Sequence, residues 1–423
     1  MNLVLPLLNV LLMAWLGYGM FRRQPDSWKR VFWPALGLKL VAGVCLGWLY
    51  LDHYGAGDTI SFWQDGIRLS GNLLDRPLDT LVFYWDESLT PDLYQQFSHQ
   101  GPRSLFFVKI SGLLALAGGG QYGIMSAWLS FASFVASWKL YVRLCRFFPE
   151  MTTANALIIL FFPSVVFWSS GLIKESLGLA ALYLMMAAVL SMIRRQPLSA
   201  LEIILLPISL WVGWNLKYYW LGIFLPVAIP AVIVVWMVSR RNSLLRYDLL
   251  LWLLFFLGCV FVATHLHPNF YASRILEVIC QSNLEFTRLS EPSQLVTYDD
   301  LRPEAISVLM NVPAAIVAGL FRPFVWEAFH WLSWMASLEN LLILLLLIQA
   351  LPALRNVIHS KHRVLVVAGL TYALLLTAFL ALSTPNFGTL SRYRIGALPV
   401  LLLLCLSPST PLGRWLSSRR WFG

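Results

Sequence analysis

The chain has 423 residues, 58% of them hydrophobic and only 12% charged, with a formal net charge of +10. Soluble domains rarely exceed about half apolar residues, and no basic and aromatic nucleic-acid module is visible. The bases instead cluster in short connections between apolar runs of membrane-spanning length, so residues 1–423 read as one all-α, polytopic integral-membrane domain.

Five cysteines occur, at 45, 145, 259, 280 and 405, with no CxxC and no metal-ligand spacing. Only Cys280 falls in a polar outer loop, so no internal disulfide is expected. The first apolar run, Leu3 to Phe21, lacks a basic start and a small-residue cleavage site. It reads as a retained helix.

Lysine and arginine bias in short loops orients the helices. Leu3–Gly19 is followed by Arg22, Arg23, Lys29 and Arg30, which places that loop in the cytoplasm and the N-terminus outside. Val31–Tyr50 crosses outward and delivers the polar segment Leu51–Ser104. That segment carries eight carboxylates, Asp52, Asp58, Asp65, Asp75, Asp79, Asp86, Glu87 and Asp92, opposed by Arg68, Arg76 and Arg103. Leu105–Gly118 is short for a span and contains Lys109. It is expected to lie at the interface, closing a first large outer loop at 51–118. Tyr122–Tyr141 returns to Arg143 and Arg146. Asn155–Ser169 goes out and Leu172–Met192 returns to Arg194 and Arg195. Ala200–Asn215 goes out and Tyr218–Val238 returns to Arg240, Arg241 and Arg246.

Asp248–His265 leads to a second large outer loop at 265–335, in which Ala305–Phe321 is expected to be another interfacial helix. Ala336–Leu354, Val364–Leu382 and Gly396–Leu406 complete eleven crossings, with the C-terminus inside. The cytoplasmic connections are strongly basic, whereas the outer ones hold more acids than bases.

Several outer-face residues carry candidate chemistry. Asp58 follows Gly55-Ala56-Gly57, and a carboxylate held there can act as general base toward a sugar hydroxyl. A solvated loop acid is the plain alternative. Lys174 and Glu175 sit at the start of an apolar run, where charges are costly unless paired or facing water. An anchoring lysine beside a helix N-terminus is the competing explanation. Lys217, before Tyr218 and Tyr219, reads equally as a ligand group or a belt anchor. Arg322 either meets phosphate or pairs internally with Glu327. Arg392 and Arg394 lie on the outer side, where positive-inside bias disfavours them. A phosphate or diphosphate head group would account for both.

The arrangement resembles the GT-C superfamily of integral-membrane glycosyltransferases. The likeness rests on Gly57-Asp58 in the first large outer loop and the interfacial helices after it. It rests also on the Phe162-Pro163-Ser164 to Lys174-Glu175 turn and on Arg392-Tyr393-Arg394 with Pro399 before the final helix. It implies a GT-C-like fold of about eleven transmembrane helices in a bacterial inner membrane. It also implies sugar transfer from a polyprenyl-phosphate donor to a glycan or lipid-linked acceptor by inverting single displacement. In that family the acid of the first outer loop is the proposed base, which corresponds to Asp58, with Asp52 and Asp65 as fallbacks. Late basic residues contact the lipid phosphate, which corresponds to Arg392 and Arg394. Some members use a divalent metal at outer-face carboxylates. Here Asp58 is followed by Thr59 rather than a second acid, and two helices rather than one precede the loop. The expected partners are membrane lipid, a polyprenyl-phosphate-linked sugar and a glycan acceptor, with no nucleic acid. Two other readings stay open: an O-antigen or exopolysaccharide polymerase or ligase, and a lipid-linked glycan transporter.

Overall fold

Long apolar runs leave no backbone partner but the chain itself, and in this sequence they resolve as helices. The computed structural model describes residues 4–266, 268–353, 355 and 359–419. Among these it is all-helical, with no strands. Seven helices are long and apolar enough to cross a membrane, or nine if each of two bent pairs is one span. The first four elements are α1 (Val4–Arg22), α2 (Asp26–Trp48), α3 (Asp58–Asp75) and α4 (Pro77–Trp85). A short π-helical turn, Leu49–Tyr54, links α2 to the acidic segment. After α5 (Pro91–Tyr94), α6 (Pro102–Gly118) and α7 (Tyr122–Phe147) meet at 115°. α6 therefore does not prolong α7.

The expected crossing Asn155–Ser169 is broken into α8 (Thr152–Ile159) and α9 (Pro163–Phe167). Pro163 lacks the amide hydrogen that would continue α8. Non-helical residues from Ser169 then lead into α10 (Lys174–Ile193). The next two expected crossings run together as α11 (Ala200–Arg240), interrupted only at Lys217, whose φ of −142° and ψ of 56° are not helical. Drawn straight, 41 residues would span roughly 60 Å. Yet both ends of α11 sit beside the same short connection. Arg143 bonds Gln196 and Glu202, while Arg195 bonds Ser239 and Trp236 donates to the Met192 carbonyl. The run therefore folds back at Lys217. Gly213 permits the turn, because a Cβ there would stand 2.7 Å from Leu221.

The chain continues through α12 (Asp248–Leu266), α13 (Ala272–Leu289), α14 (Ala305–Phe321) and α15 (Trp331–Ala350). It ends with α16 (Arg363–Ser383), α17 (Phe387–Tyr393), α18 (Leu398–Cys405) and α19 (Pro411–Arg419). α17 with its following turn meets α18 at 67°. α14 packs on α16, with Gly319 against Thr377.

The basic connections gather at one end of the bundle. Arg146 stacks on Trp28, Arg194 donates to the Phe147 carbonyl, and Arg363 pairs with Asp248. The apolar core between the two ends joins α2, α7, α10, the second limb of α11, and α16.

Candidate functional site

At the other end, three interrupted helices deliver charged side chains to one buried point. Glu175 is the second residue of α10, just past the non-helical turn, and is fully buried. Lys217 occupies the reversal of α11 and places its ammonium 2.6 Å from one Glu175 oxygen. Arg392, in the last turn of α17, reaches the other oxygen at 2.7 Å. A helix interruption is where a buried charge finds room and polar company.

The second arm of Arg392 lies 3.2 Å from Asp58. Asp58 is the first residue of α3, where a carboxylate is favoured by the helix N-terminus. Its side chain is 45% exposed, unlike those of Glu175, Lys217 and Arg392. Gly57 brings it there with a φ of 133°, and a Cβ at that position would stand 2.5 Å from the Tyr50 ring. The Lys217 ammonium also sits 3.5 Å from the centre of the Tyr393 ring. Lys174 bonds the Ser104 hydroxyl at 3.0 Å and lies 5.3 Å over the Phe62 ring. Arg103 rests on Tyr218.

Asp58, Lys174, Glu175, Lys217 and Arg392 thus gather from distant parts of the sequence. Two carboxylates face three bases, an excess of one positive charge, which Arg103 raises to two. Such a site favours an anion and keeps one carboxylate accessible to solvent. Removing Glu175, Lys217 or Arg392 would leave its partners as uncompensated buried charge.

Two of the residues expected here lie elsewhere. Arg394 donates to the Leu320 carbonyl and pairs with Glu339 at 3.3 Å. Residues two apart on a helical turn do not share a face, so Arg392 and Arg394 cannot both point at one ligand. Arg322 pairs with Glu327 at 2.5 Å and stacks on Phe387, which makes it an internal ion pair. Neither contacts the five-residue cluster through any described ion pair.

The fallback carboxylates are also separated. Asp52 is exposed on the turn after α2. Asp65 is fully buried, accepting hydrogen bonds from the Ser98 amide and hydroxyl and contacting His99 at 3.3 Å. Burial alone would raise the Asp65 carboxyl, but the His99 and Ser98 hydrogen bonds outweigh it and hold the group below its ordinary 3.8. A lowered folded value contributes stability at pH values above the unfolded one, and that contribution is lost as pH falls through the folded value. Hydrogen exchange over residues 95–101 is therefore expected to accelerate below about pH 4. Asp65→Asn should speed exchange at neutral pH and flatten this acid dependence. An unchanged profile in the variant would remove Asp65 as the anchor of that loop.

Sequence reasoning passed over Glu339 and Lys39. Glu339 accepts from the Ser164 amide at 3.0 Å as well as pairing with Arg394, so it ties α9 to α15 and to the last broken span. Lys39 is buried in α2 and hydrogen-bonds Ser169, in the turn before α10. Both are ionisable residues inside apolar runs, and that signal was present in the sequence. Among the described residues, no group of three or more His, Cys, Asp or Glu side chains is placed to hold a metal ion. The outer-loop carboxylates therefore do not fit a divalent cation.

No family model matches the chain, and no curated protein or solved structure matches it.

Proposed function

We propose that this chain is a GT-C-like membrane glycosyltransferase that works at the outer, periplasmic face of the bacterial inner membrane. Its N-terminus is then periplasmic and its C-terminus cytoplasmic, as the gathering of basic connections at the far end of the bundle supports. The observation that carries the reading is the buried cluster itself. Buried Lys217 and Arg392 are held by Glu175, with Lys174 and the exposed Arg103 adding positive charge, beside one accessible carboxylate, Asp58.

In this reading a polyprenyl-phosphate sugar brings its phosphate to the cationic groups. Asp58 takes the proton of an acceptor hydroxyl on a glycan or lipid-linked glycan. The hydroxyl oxygen bonds to the anomeric carbon as the bond from that carbon to the phosphate oxygen breaks. The configuration inverts, and the lipid phosphate leaves with its charge balanced by the bases. Glu175 holds Lys217 and Arg392 in register and takes no proton.

The test supplies purified protein in liposomes with polyprenyl-phosphate monosaccharides and a lipid-linked acceptor. Transfer of single sugars is the expected result. Joining of whole repeat units with no single-sugar transfer would instead mark a polymerase or ligase acting on a lipid diphosphate. For binding of undecaprenyl phosphate alone, Lys174→Ala should weaken affinity about 10-fold or more, the worth of one charge-assisted contact. Arg322→Ala should leave it unchanged, since Arg322 is occupied by Glu327. Equal losses in the two variants would count against the placement of the phosphate.

A transporter of lipid-linked glycans is the second reading. It is favoured by the interrupted helices and by Lys39 and the Glu339–Arg394 pair, which are charges inside apolar runs. Movement of a fluorescent lipid-linked glycan across sealed vesicles, without any sugar transfer, would establish it.

A further inference from the structure

α4 is apolar on two sides. Phe83 and Thr80 are fully buried against the acidic segment's own small core, where Phe83 packs with Phe62, Phe97 and Phe107. The opposite side carries Leu78, Leu81, Val82 and Trp85, spaced as one helical face. These four are 76%, 58%, 40% and 89% exposed. Singly exposed apolar residues are ordinary, but a contiguous face of four is a partner surface.

The partner is indicated by what this face adjoins. The Tyr84 hydroxyl donates to the Lys109 carbonyl, and the Lys109 ammonium pairs with Glu87 at 2.6 Å, so α4 is fastened to α6. One and two turns further along α6, Leu113 and Leu116 are exposed. The end of α6 then meets α1, where Asn9 donates to the Ala117 carbonyl and Gly119 abuts Leu5. Only 11% of the α1 span is buried: Met13, Leu16 and Met20 pack on the core, while Leu7, Leu8, Leu11, Trp15 and Tyr18 leave the other side apolar and uncovered. The exposed face of α4 continues that surface. Its polar neighbours Asp75, Asp79, Asp86 and Glu87 outnumber Arg76, which gives no attraction to anionic head groups.

We propose that α4 is seated in the bilayer interface through Leu78, Leu81, Val82 and Trp85, and that it pins the lobe bearing Asp58 to the lipid surface. The insertion is hydrophobic, shallow and independent of lipid charge. It does not depend on the reaction proposed above.

The test uses the full chain in phosphatidylcholine vesicles, with the native cysteines replaced and an environment-sensitive fluorophore attached at Leu81→Cys or, as the control, Asp92→Cys. Asp92 is exposed on α5 and is not part of the apolar face. Nitroxide-labelled acyl chains should quench the probe at 81 at least about 3-fold more than the probe at 92, with aqueous iodide showing the reverse order. Added phosphatidylglycerol should leave both unchanged. Iodide quenching at 81 equal to that at 92 would overturn the proposal. So would protection at 81 from both quenchers with energy transfer between labelled molecules, since a second copy of the chain would then cover the face. If Leu81→Cys disturbs α4, Leu78→Cys reports on the same face.

Discussion

Asp58→Asn is expected to abolish sugar transfer while leaving the protein folded. Removing a positioned general base costs on the order of 10²–10⁴-fold in rate. The substitution keeps the size of the side chain and an oxygen that can still accept from Arg392, which lies 3.2 Å away. Asp58 is also the least buried member of the cluster, so its replacement leaves less uncompensated charge than any other change there. The measurement is initial rate with a polyprenyl-phosphate sugar, alongside the thermal midpoint in detergent. A folded variant with normal turnover would remove Asp58 as the base. Asp52 would then be the carboxylate to examine, because Asp65 is enclosed by Ser98 and His99.

Glu175→Gln carries the largest expected effect on stability. The Glu175 carboxylate lies between Lys217 and Arg392, and all three side chains are less than 9% exposed. Neutralising it leaves two buried cations facing one another across an amide. Breaking a buried pair by removing one partner typically costs about 3–5 kcal/mol. The thermal midpoint should therefore fall steeply, and transfer should be lost with it. A double variant, Glu175→Gln with Lys217→Met, removes one of the orphaned cations and should recover part of the loss. The recovery is the informative quantity, because residues in direct contact do not add independently. If the double variant is no more stable than Glu175→Gln alone, the 2.6 Å contact is not the one that matters.

The two experiments separate chemistry from architecture. Asp58 is predicted to matter for rate at little cost in folding, whereas Glu175 is predicted to matter for folding first. Lys174 stands between them. Its ammonium has the Ser104 hydroxyl and the Phe62 ring as partners and no described carboxylate within ion-pair distance. It is the base with the least to lose by turning to a phosphate.

The amino-acid sequence by itself determined the class of this protein, an all-α chain with several helices long and apolar enough to cross a membrane. Apolar length and the lysine and arginine bias are local properties, and they are enough to place runs such as Val31–Tyr50 and Leu172–Met192 as helices. The reversal near Lys217 was legible for the same reason. Lys174 and Glu175 stood out because a charge beside an apolar run is costly and calls for a partner, Arg392 because positive-inside bias disfavours arginine on the outer side, and Asp58 because glycines precede it in an outer loop.

Which partner each charge takes was decided only by the tertiary structure. Arg392 and Arg394 differ in sequence by two positions, yet one meets Glu175 and Asp58 and the other meets Glu339. Spacing along a chain says which residues share a helical face. It does not say what stands opposite that face, and the pairing of buried charges depends on contacts hundreds of residues apart, closed by helices that break where they meet.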